Sequence, residues 1–538
     1  MEKKLYKWQE ECLNRWQSNG CRGMVQAVTG SGKTLLALTA ADWLCNHADP
    51  DMKVKIVVPT GALMQQWNRA VKEYLSESRK NQEDCRIISC PENIPGTGSR
   101  RNRIGLRGGG YKDPCDCQYM IYVINSARYE LARQILAELK QGESIFLIAD
   151  ECHHYDSGEN SLIFEFLPFI EPYGDRYFSL GLSATLPQGQ SCQFLTSALG
   201  RRIYSYGMEE ASRWGTVCRY DVFHIRLSFR GDERAEYEEL TDKMTLLYGT
   251  LVSARPLLKK MDVKQQFELL RNLCSSKDEK IADAASAYLK LSFIRKSLVC
   301  LASDRTACAW DLVQRLDEHE KILIFGERIA QAEKLYKLLQ EQYPGRVGRY
   351  HSQMGAQANK NALERFRTGQ IRILIACKAM DEGVDVPDAS IGIILSGTAA
   401  RRQRIQRLGR ILRINEGKDR ASLYYLHIEE TSEDVCFLPD GRENTMIELE
   451  FDSDWMRFFQ PVYDEAAAAI LGHMEMAGAS REQIKEAEHC LNLGIVRADW
   501  KRGMDYVEER IQQAGSTRER NYWVCMKRIV TVCSGLEP

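Results

Sequence analysis

A run of nine residues near the start of the chain combines small residues, hydroxyl side chains and one lysine. It extends from Gln26 to Thr34 and reads QAVTGSGKT, with a strand-like apolar segment before it and a helix-like apolar segment after it. Glycines let the backbone approach phosphate oxygens, and a helix that begins near Lys33 presents unpaired N–H groups to them. The pattern therefore predicts a loop that binds the phosphates of a nucleoside triphosphate. Its expected contacts are Thr29, Gly30, Ser31, Gly32 and Lys33, with the Thr34 hydroxyl on Mg²⁺.

Two adjacent carboxylates, Asp150 and Glu151, follow the apolar run SIFLIA. Such a run is typical of a parallel strand buried on both faces, and ligands bind at the carboxyl edge of such sheets. There, Asp150 can hold Mg²⁺ through its water shell while Glu151 orients and deprotonates the attacking water. Together with the upstream loop, the pair predicts hydrolysis of the triphosphate. The alternative is a pair of solvated acids at a strand end.

A basic segment from Gln403 to Arg413 carries closely spaced arginines. Arginine is always charged and forms bidentate contacts, so one that arrives from a second domain can stabilise charge on a phosphoryl group during transfer. Arg410 and Arg413 are three residues apart and share one face of a helix. We predict that these two arginines act on the nucleotide. A solvated basic helix is the alternative.

The chain reads as two segments in which strand and helix patterns alternate, separated and followed by mostly helical sequence. The runs Ile56 to Val58 and Ile145 to Ile148 mark strands in the first segment, and Lys321 to Phe325 begins the second. We predict an α/β fold with two tandem parallel-sheet domains, a helical connector and a helical C-terminal extension. The predicted boundaries are 1–225 for the nucleotide-binding domain, 226–318 for the connector, 319–430 for the second domain and 431–538 for the extension. In the extension, Ser480 and Gln483 predict a helix capping box.

The chain has 538 residues, 18 cysteines and a formal net charge of −1. No run approaches the length of a membrane span and the first five residues lack a signal-peptide stretch, so we expect a cytoplasmic or other intracellular, reducing location with no membrane. Because the chain has almost no net charge, any affinity for nucleic acid must come from local basic surfaces. Cys85, Cys90, Cys115 and Cys117 could in principle bind zinc, although their spacing fits the common ligand pairs poorly.

Taken in order, these motifs resemble those of the superfamily-2 helicases and translocases of the DExH-box type, in the XPB-like group and the related motor subunits of restriction enzymes. The resemblance covers about residues 5–430. Besides the phosphate loop and Asp150-Glu151-Cys152-His153, the matching segments are Tyr6 to Gln9, Val58 to Thr60 with Gln66-Trp67, Ile124 to Ala127, Ser183 to Pro187, Ile324 to Glu327, Asp381 to Pro387 and Gln406 to Arg413.

The resemblance implies two RecA-like domains that share one ATP with Mg²⁺ and act on nucleic acid, with DNA favoured over RNA. It implies that Gln9 reads the adenine base, that Gly383 and Asp385 approach the nucleotide, and that Arg410 and Arg413 are arginine fingers. The segments beginning at Val58 and Ile124 are implied contacts to the nucleic-acid backbone. The segment from Ser183 to Pro187 is implied to couple the nucleotide site to the strand-binding face.

Other functions stay open at this point. ATP could only lock a clamp or adaptor onto nucleic acid with little turnover, although the intact Glu151, Arg410 and Arg413 argue against this, and RNA could be the track. The extension could bind protein partners. Its aromatic residues could stack on bases, but in a small helical domain they are more often core. These residues are Trp455, Phe458, Phe459, Trp500 and Trp523.

Overall fold

The computed structural model describes residues 5–83, 103–156, 158–187, 189–377, 389–396, 420–431, 433, 445–476 and 478–534. The chain divides into two compact units, one formed mainly by residues up to Arg219 and the other mainly by residues from Tyr220 onward. Each unit is built on one eight-stranded sheet. The predicted α/β class with two mostly parallel sheets is confirmed.

The first unit holds six helices within the described residues. They are α1 (Lys7–Ser18), α2 (Lys33–His47), α3 (Gly61–Glu83), α4 (Ile124–Lys140), α5 (Gln190–Leu199) and α6 (Met208–Arg213). The strands are β1 (Arg22–Ala27), β2 (Lys53–Val58), β3 (Ile104–Gly108), β4 (Tyr111–Lys112), β5 (Tyr119–Val123), β6 (Ile145–Asp150), β7 (Tyr177–Ser183) and β8 (Arg202–Tyr206).

The first sheet has the strand order β4-β3-β5-β2-β6-β7-β1-β8. All neighbours in it are parallel except β3 and β4. Every residue of β2 and β6 is buried, as expected for central strands covered on both faces. Because parallel strands end at the same edge, the loops that follow β1, β2, β6 and β7 all emerge at one edge of this sheet.

The second unit begins with β9 (Arg219–Leu227) and continues through a helical segment. Its helices are α7 (Glu233–Ala254), α8 (Val263–Leu273), α9 (Glu279–Leu301), α10 (Ser303–Arg315), α11 (Ile329–Gln342), α12 (Ala356–Arg367), α13 (Pro461–Met476), α14 (Arg481–Gly494), α15 (Met504–Gln513) and α16 (Thr517–Ser534). Its further strands are β10 (Ile322–Gly326), β11 (Val347–Tyr350), β12 (Ile373–Cys377), β13 (Ile391–Ile394), β14 (Arg420–Ile428), β15 (Thr445–Asp452) and β16 (Arg457–Phe459).

The second sheet has the order β11-β12-β10-β13-β14-β9-β15-β16. Strand β9 pairs in parallel with β15, and β15 pairs antiparallel with β16. Segments from both sides of the connector therefore contribute strands to this sheet. In β15, the residues at every second position are buried, namely Ile447, Leu449 and Phe451. This alternation is typical of a strand, and the prediction of a helical extension did not take it into account. The domain boundaries drawn from the sequence stay a prediction.

The C-terminal helices pack on the core of the second unit. The capping box is confirmed: Ser480 Oγ accepts the Gln483 backbone N–H at 3.2 Å, and Gln483 Oε1 accepts the Ser480 N–H at 2.9 Å. Phe458 and Trp523 are buried in the core, whereas Trp455 is 80% exposed. For the two buried aromatic residues, the core interpretation holds.

None of the helices in the described ranges combines the length and apolarity that crossing a membrane requires. The same part of the chain has no group of three or more potential metal ligands among its His, Cys, Asp and Glu residues. Of the four cysteines considered for zinc, Cys115 and Cys117 are described, and Cys117 is buried. Cys85 and Cys90 lie outside the described residues.

Candidate nucleotide-binding site

The predicted phosphate loop connects β1, which ends at Ala27, to α2, which begins at Lys33. Gly30 and Gly32 have φ angles of +88° and +92°, in the left-handed region that favours glycine. At Gly32 an added Cβ would also lie 2.7 Å from Gln9 Nε2, so the Gln9 side chain would have to shift. The two glycines thus shape a tight turn that opens directly onto a helix N-terminus.

Two side chains donate hydrogen bonds to backbone carbonyl oxygens at the two ends of this loop. The Lys33 ammonium donates to the Ala27 carbonyl oxygen at 2.9 Å, and the fully buried Gln9 amide donates to the Gly32 carbonyl oxygen at 2.9 Å. The structure therefore places Gln9 on the loop itself, and its reading of adenine stays a prediction. Thr29 Oγ1 is buried and has no hydrogen-bond partner among the described residues. An orphaned hydroxyl in such a turn fits a loop that receives an acceptor-rich ligand.

The carboxylate pair lies at the carboxyl end of β6, in the same sheet edge. Asp150 Oδ2 accepts the Trp67 indole N–H at 2.7 Å, and its Oδ1 accepts the Glu151 backbone N–H at 3.0 Å. Burial, together with the neighbouring Glu151 charge, raises the pKa of Asp150 to about 6, while the Trp67 hydrogen bond and the Lys33 charge act in the opposite direction. Glu151 has a φ of +47°, a strained conformation for a non-glycine residue. The two carboxylates therefore have different surroundings, as their two predicted roles require.

The His153 imidazole connects the carboxylate pair to the end of β7 through one close contact and one hydrogen bond. His153 is buried, and its Nδ1 lies 2.8 Å from Ser183 Oγ. Ser183 Oγ in turn accepts the Thr185 backbone N–H at 3.1 Å. The same His153 Nδ1 lies 3.4 Å from Glu151 Oε2. The segments containing Glu151 and Ser183 are thus joined directly through one imidazole.

Two aromatic residues at this edge have roles that the sequence did not reveal. Trp67, assigned only to a segment that contacts the nucleic-acid backbone, has its side chain inside the core and bonded to Asp150. The Tyr155 hydroxyl lies 2.7 Å from the Asp150 carbonyl oxygen and 3.0 Å from that of Val57. The helical spacing of Met64, Trp67 and Val71 predicts a buried face, but spacing cannot name the hydrogen-bond acceptor.

In the second unit, Glu327 follows β10 and is buried. Its carboxylate lies 3.1 Å from Lys296 Nζ, and its backbone N–H donates to Ser396 Oγ at 3.1 Å. The segment from Ile324 to Glu327 is therefore fixed to α9 and to the second residue after β13. Other predicted site residues, Gly383, Asp385, Arg410 and Arg413, lie outside the described residues.

A buried arginine that the sequence did not single out also organises this unit. The Arg305 guanidinium donates to the carbonyl oxygens of Val299 and Leu426, each at 2.8 Å. It also donates to the Leu395 carbonyl oxygen and pairs with the Glu433 carboxylate. Arg305 is fully buried, and its donors reach backbone acceptors in α9, in β14 and directly after β13, so we interpret it as part of the scaffold.

Comparison with known proteins identifies two families and several relatives that the chain resembles. Two family models match the chain: the type III restriction enzyme res subunit over residues 2–188, and the helicase conserved C-terminal domain over residues 305–415. The DNA 3'-5' translocase XPB2 of Sulfurisphaera tokodaii is 28% identical over 413 residues, which cover 76% of this chain and 78% of that protein.

A second relative is the general transcription and DNA repair factor IIH helicase/translocase subunit XPB of Encephalitozoon cuniculi. It is 21% identical over 457 residues, which cover 82% of this chain and 54% of that protein. Among solved structures, the Hef helicase domain of Pyrococcus furiosus aligns with a TM-score of 0.46 and 16% identity, over 80% of this chain and 97% of that one.

The two family models together match both the segment that carries the phosphate loop with Asp150 and Glu151 and the segment that carries the arginines. The res-subunit model matches the earlier segment and the helicase C-terminal model the later one, which is the order in which the corresponding motifs occur along the chain. The chain thus carries a res-subunit domain and a helicase C-terminal domain, the pair of domains of the superfamily-2 helicases and translocases, enzymes that couple ATP hydrolysis to work on nucleic acid.

Proposed function

We propose that this protein is a motor on DNA, driven by ATP and Mg²⁺ bound at the carboxyl edge of the first sheet. The observation that carries the proposal is the meeting, in one sheet, of the phosphate loop after β1 and the Asp150-Glu151 pair after β6. DNA is favoured because the two relatives described above are a DNA translocase and a DNA repair factor subunit.

The loop and the start of α2 supply the groups that hold the triphosphate. Backbone N–H groups from Gly30 to Thr34 surround the phosphates, and the Lys33 ammonium leaves the Ala27 carbonyl oxygen to neutralise the β- and γ-phosphate oxygens. The Thr34 hydroxyl and the Asp150 carboxylate would hold Mg²⁺, and the charge of the ion would offset the charge that develops on the phosphates. Gln9 lies beside this loop, where it can contact the base.

Glu151 orients a water molecule and accepts its proton. The His153–Ser183 hydrogen bond then carries any change at Glu151 to the segment from Ser183 to Pro187. Arg410 and Arg413 are the proposed finger residues, and Gly383 and Asp385 the proposed contacts from the second domain. Phosphate contacts dominate binding to nucleic acid in such a motor, so we expect little sequence preference and a steep dependence on salt.

The test is to measure ATP cleavage by the full chain alone and with single-stranded DNA, duplex DNA or RNA. We expect DNA to stimulate cleavage at least roughly tenfold and RNA to have little effect, with the stimulation falling as salt rises. Equal stimulation by RNA would contradict the proposal that DNA is the nucleic acid on which the motor acts. Binding of DNA that requires ATP, without stimulated cleavage, would instead support the nucleotide-gated clamp.

A further inference from the structure

The Asp150 carboxylate is held by one donor on each oxygen. The Glu151 backbone N–H donates to Oδ1, and the Trp67 indole N–H donates to Oδ2. Trp67 is 1% exposed, so no water competes for this bond at the indole. A hydrogen bond to a charged acceptor is shorter and stronger than one between neutral groups. The position of the Trp67 ring therefore sets the orientation of the Asp150 side chain.

Trp67 belongs to α3, the helix that starts in the segment expected to contact nucleic acid. Thr60 caps this helix, since its Oγ1 accepts the Leu63 backbone N–H at 3.3 Å. With a rise of 1.5 Å per residue, Trp67 lies about 9 Å along the axis from Gly61. Met64, Trp67 and Val71 are buried on one face of α3. The helix is thus one rigid piece with its first turn at the sheet edge and its indole on Asp150.

A second contact joins the same two segments. The Tyr155 hydroxyl lies within hydrogen-bond distance of the carbonyl oxygens of both Val57, at the end of β2, and Asp150, at the end of β6. The β2–α3 loop and the Asp150 segment are therefore linked through one buried hydroxyl and one buried indole.

We propose that Trp67 is a positioning residue, which holds the Asp150 carboxylate for Mg²⁺ and carries the effect of nucleic-acid binding at the start of α3 to that carboxylate. This inference rests on the proposed function, because it assigns a role in ATP cleavage. The Trp67 side chain is buried in the core of the first unit. Its contribution lies in where it places Asp150 Oδ2.

The experiment compares Trp67→Phe with a matched control, Trp16→Phe. Trp16 is also 1% exposed and also donates its indole N–H, at 3.0 Å, but to the Ser179 carbonyl oxygen in β7. Both substitutions remove a buried indole hydrogen bond in the first unit, and only one of them involves Asp150. Two quantities are measured: the Mg²⁺ concentration that half-saturates binding of a fluorescent ADP analogue, and the ratio of ATP cleavage rates with and without DNA.

For Trp67→Phe we expect the half-saturating Mg²⁺ concentration to rise roughly tenfold, because a hydrogen bond to a charged group is lost. We expect the ratio of DNA-stimulated to basal cleavage to fall by a similar factor. Trp16→Phe should leave both quantities within about twofold of wild type, whatever it does to the melting temperature.

If Trp67→Phe does not fold, benzothienylalanine at position 67 replaces only the indole N–H with sulfur and keeps both rings, and the same two shifts are expected. Wild-type values of both quantities in a folded protein lacking the Trp67 N–H would overturn the inference and leave the proposed function intact. A wild-type protein that does not cleave ATP under any condition would overturn the proposed function, and the role of Trp67 with it.

Discussion

The carboxyl edge of the first sheet and the surroundings of Arg305 in the second unit differ in how fully their buried charged side chains are paired. At the first edge, Asp150 is buried with a raised pKa, and Glu151 has a strained backbone. In the second unit, Arg305 is buried with its guanidinium directed to three carbonyl oxygens and the Glu433 carboxylate. A buried charge that is only partly offset by hydrogen bonds and ion pairs is expected at a site that binds a cation and an anion. A buried charge that is fully paired is expected where the side chain supports the fold.

The largest effect should come from removing the lysine of the phosphate loop. Lys33→Ala takes away the ammonium that we propose neutralises the phosphates, so we expect ATP cleavage to fall by roughly 100-fold or more. Lys140→Ala, at the exposed end of α4, is the matched control and should retain the wild-type rate. Stimulated phosphate release that survives in Lys33→Ala would show that the loop does not bind the reacting nucleotide.

A comparable loss of rate, with binding retained, is expected for Glu151→Gln. The amide cannot accept the proton of the attacking water, and removal of a general base typically costs roughly 100-fold or more. Because the phosphate loop is untouched, ATP and DNA should stay bound together, which a filter-binding assay with labelled ATP detects. Glu171→Gln, at an exposed glutamate, provides the control. Rapid cleavage by Glu151→Gln would remove Glu151 from the proposed mechanism.

In the second unit, Arg305→Met should lower the free energy of unfolding. Methionine fills much of the space but leaves the Glu433 carboxylate and several carbonyl oxygens without their donor, and breaking a buried pair in this way costs about 3–5 kcal/mol. Arg226→Met, which breaks the half-exposed pair with Glu450, should change the unfolding free energy by less than about 1 kcal/mol. Urea unfolding measures both. Equal effects of the two substitutions would contradict the scaffold interpretation of Arg305.

The smallest expected effect is a gain of stability in a variant without activity. The pKa of Asp150 is raised from 3.8 to about 6 in the folded protein, so this group contributes stability below about pH 4 that is lost as the pH rises through 6. Asp150→Asn does not titrate, and without Mg²⁺ it should exceed wild type by about 1–2 kcal/mol at pH 8.

Unfolding in urea with a chelator, at pH 5 and pH 8, tests this expectation, and the gain should shrink at pH 5. Asp175→Asn, at an exposed aspartate, should show no such pH-dependent difference. A variant Asp150→Asn that is less stable than wild type at pH 8 would mean that the ionised carboxylate is well compensated, and the contrast with Arg305 would disappear.

Patterns within short windows of sequence predicted much of this molecule. The phosphate loop needed glycines at Gly30 and Gly32 because of their positive φ angles, and the strand β6 was visible as an unbroken apolar run. The pairing of β9 with β15 was not visible, since a strand's partner more than two hundred residues away depends on packing that no local pattern records. The same holds for Arg305, whose acceptors come from four separate positions along the chain.

What the sequence by itself determined was the set and order of the motifs, which predict the residues that hold phosphate and Mg²⁺ and which resemble one family of proteins. Backbone requirements and charge are properties of residue types at fixed spacing, and they can be read directly. The tertiary structure alone decided that the Trp67 indole meets the Asp150 carboxylate and that His153 meets Ser183. Those contacts join residues that are distant in the chain, and only the parallel pairing of strands brings their ends to a common edge.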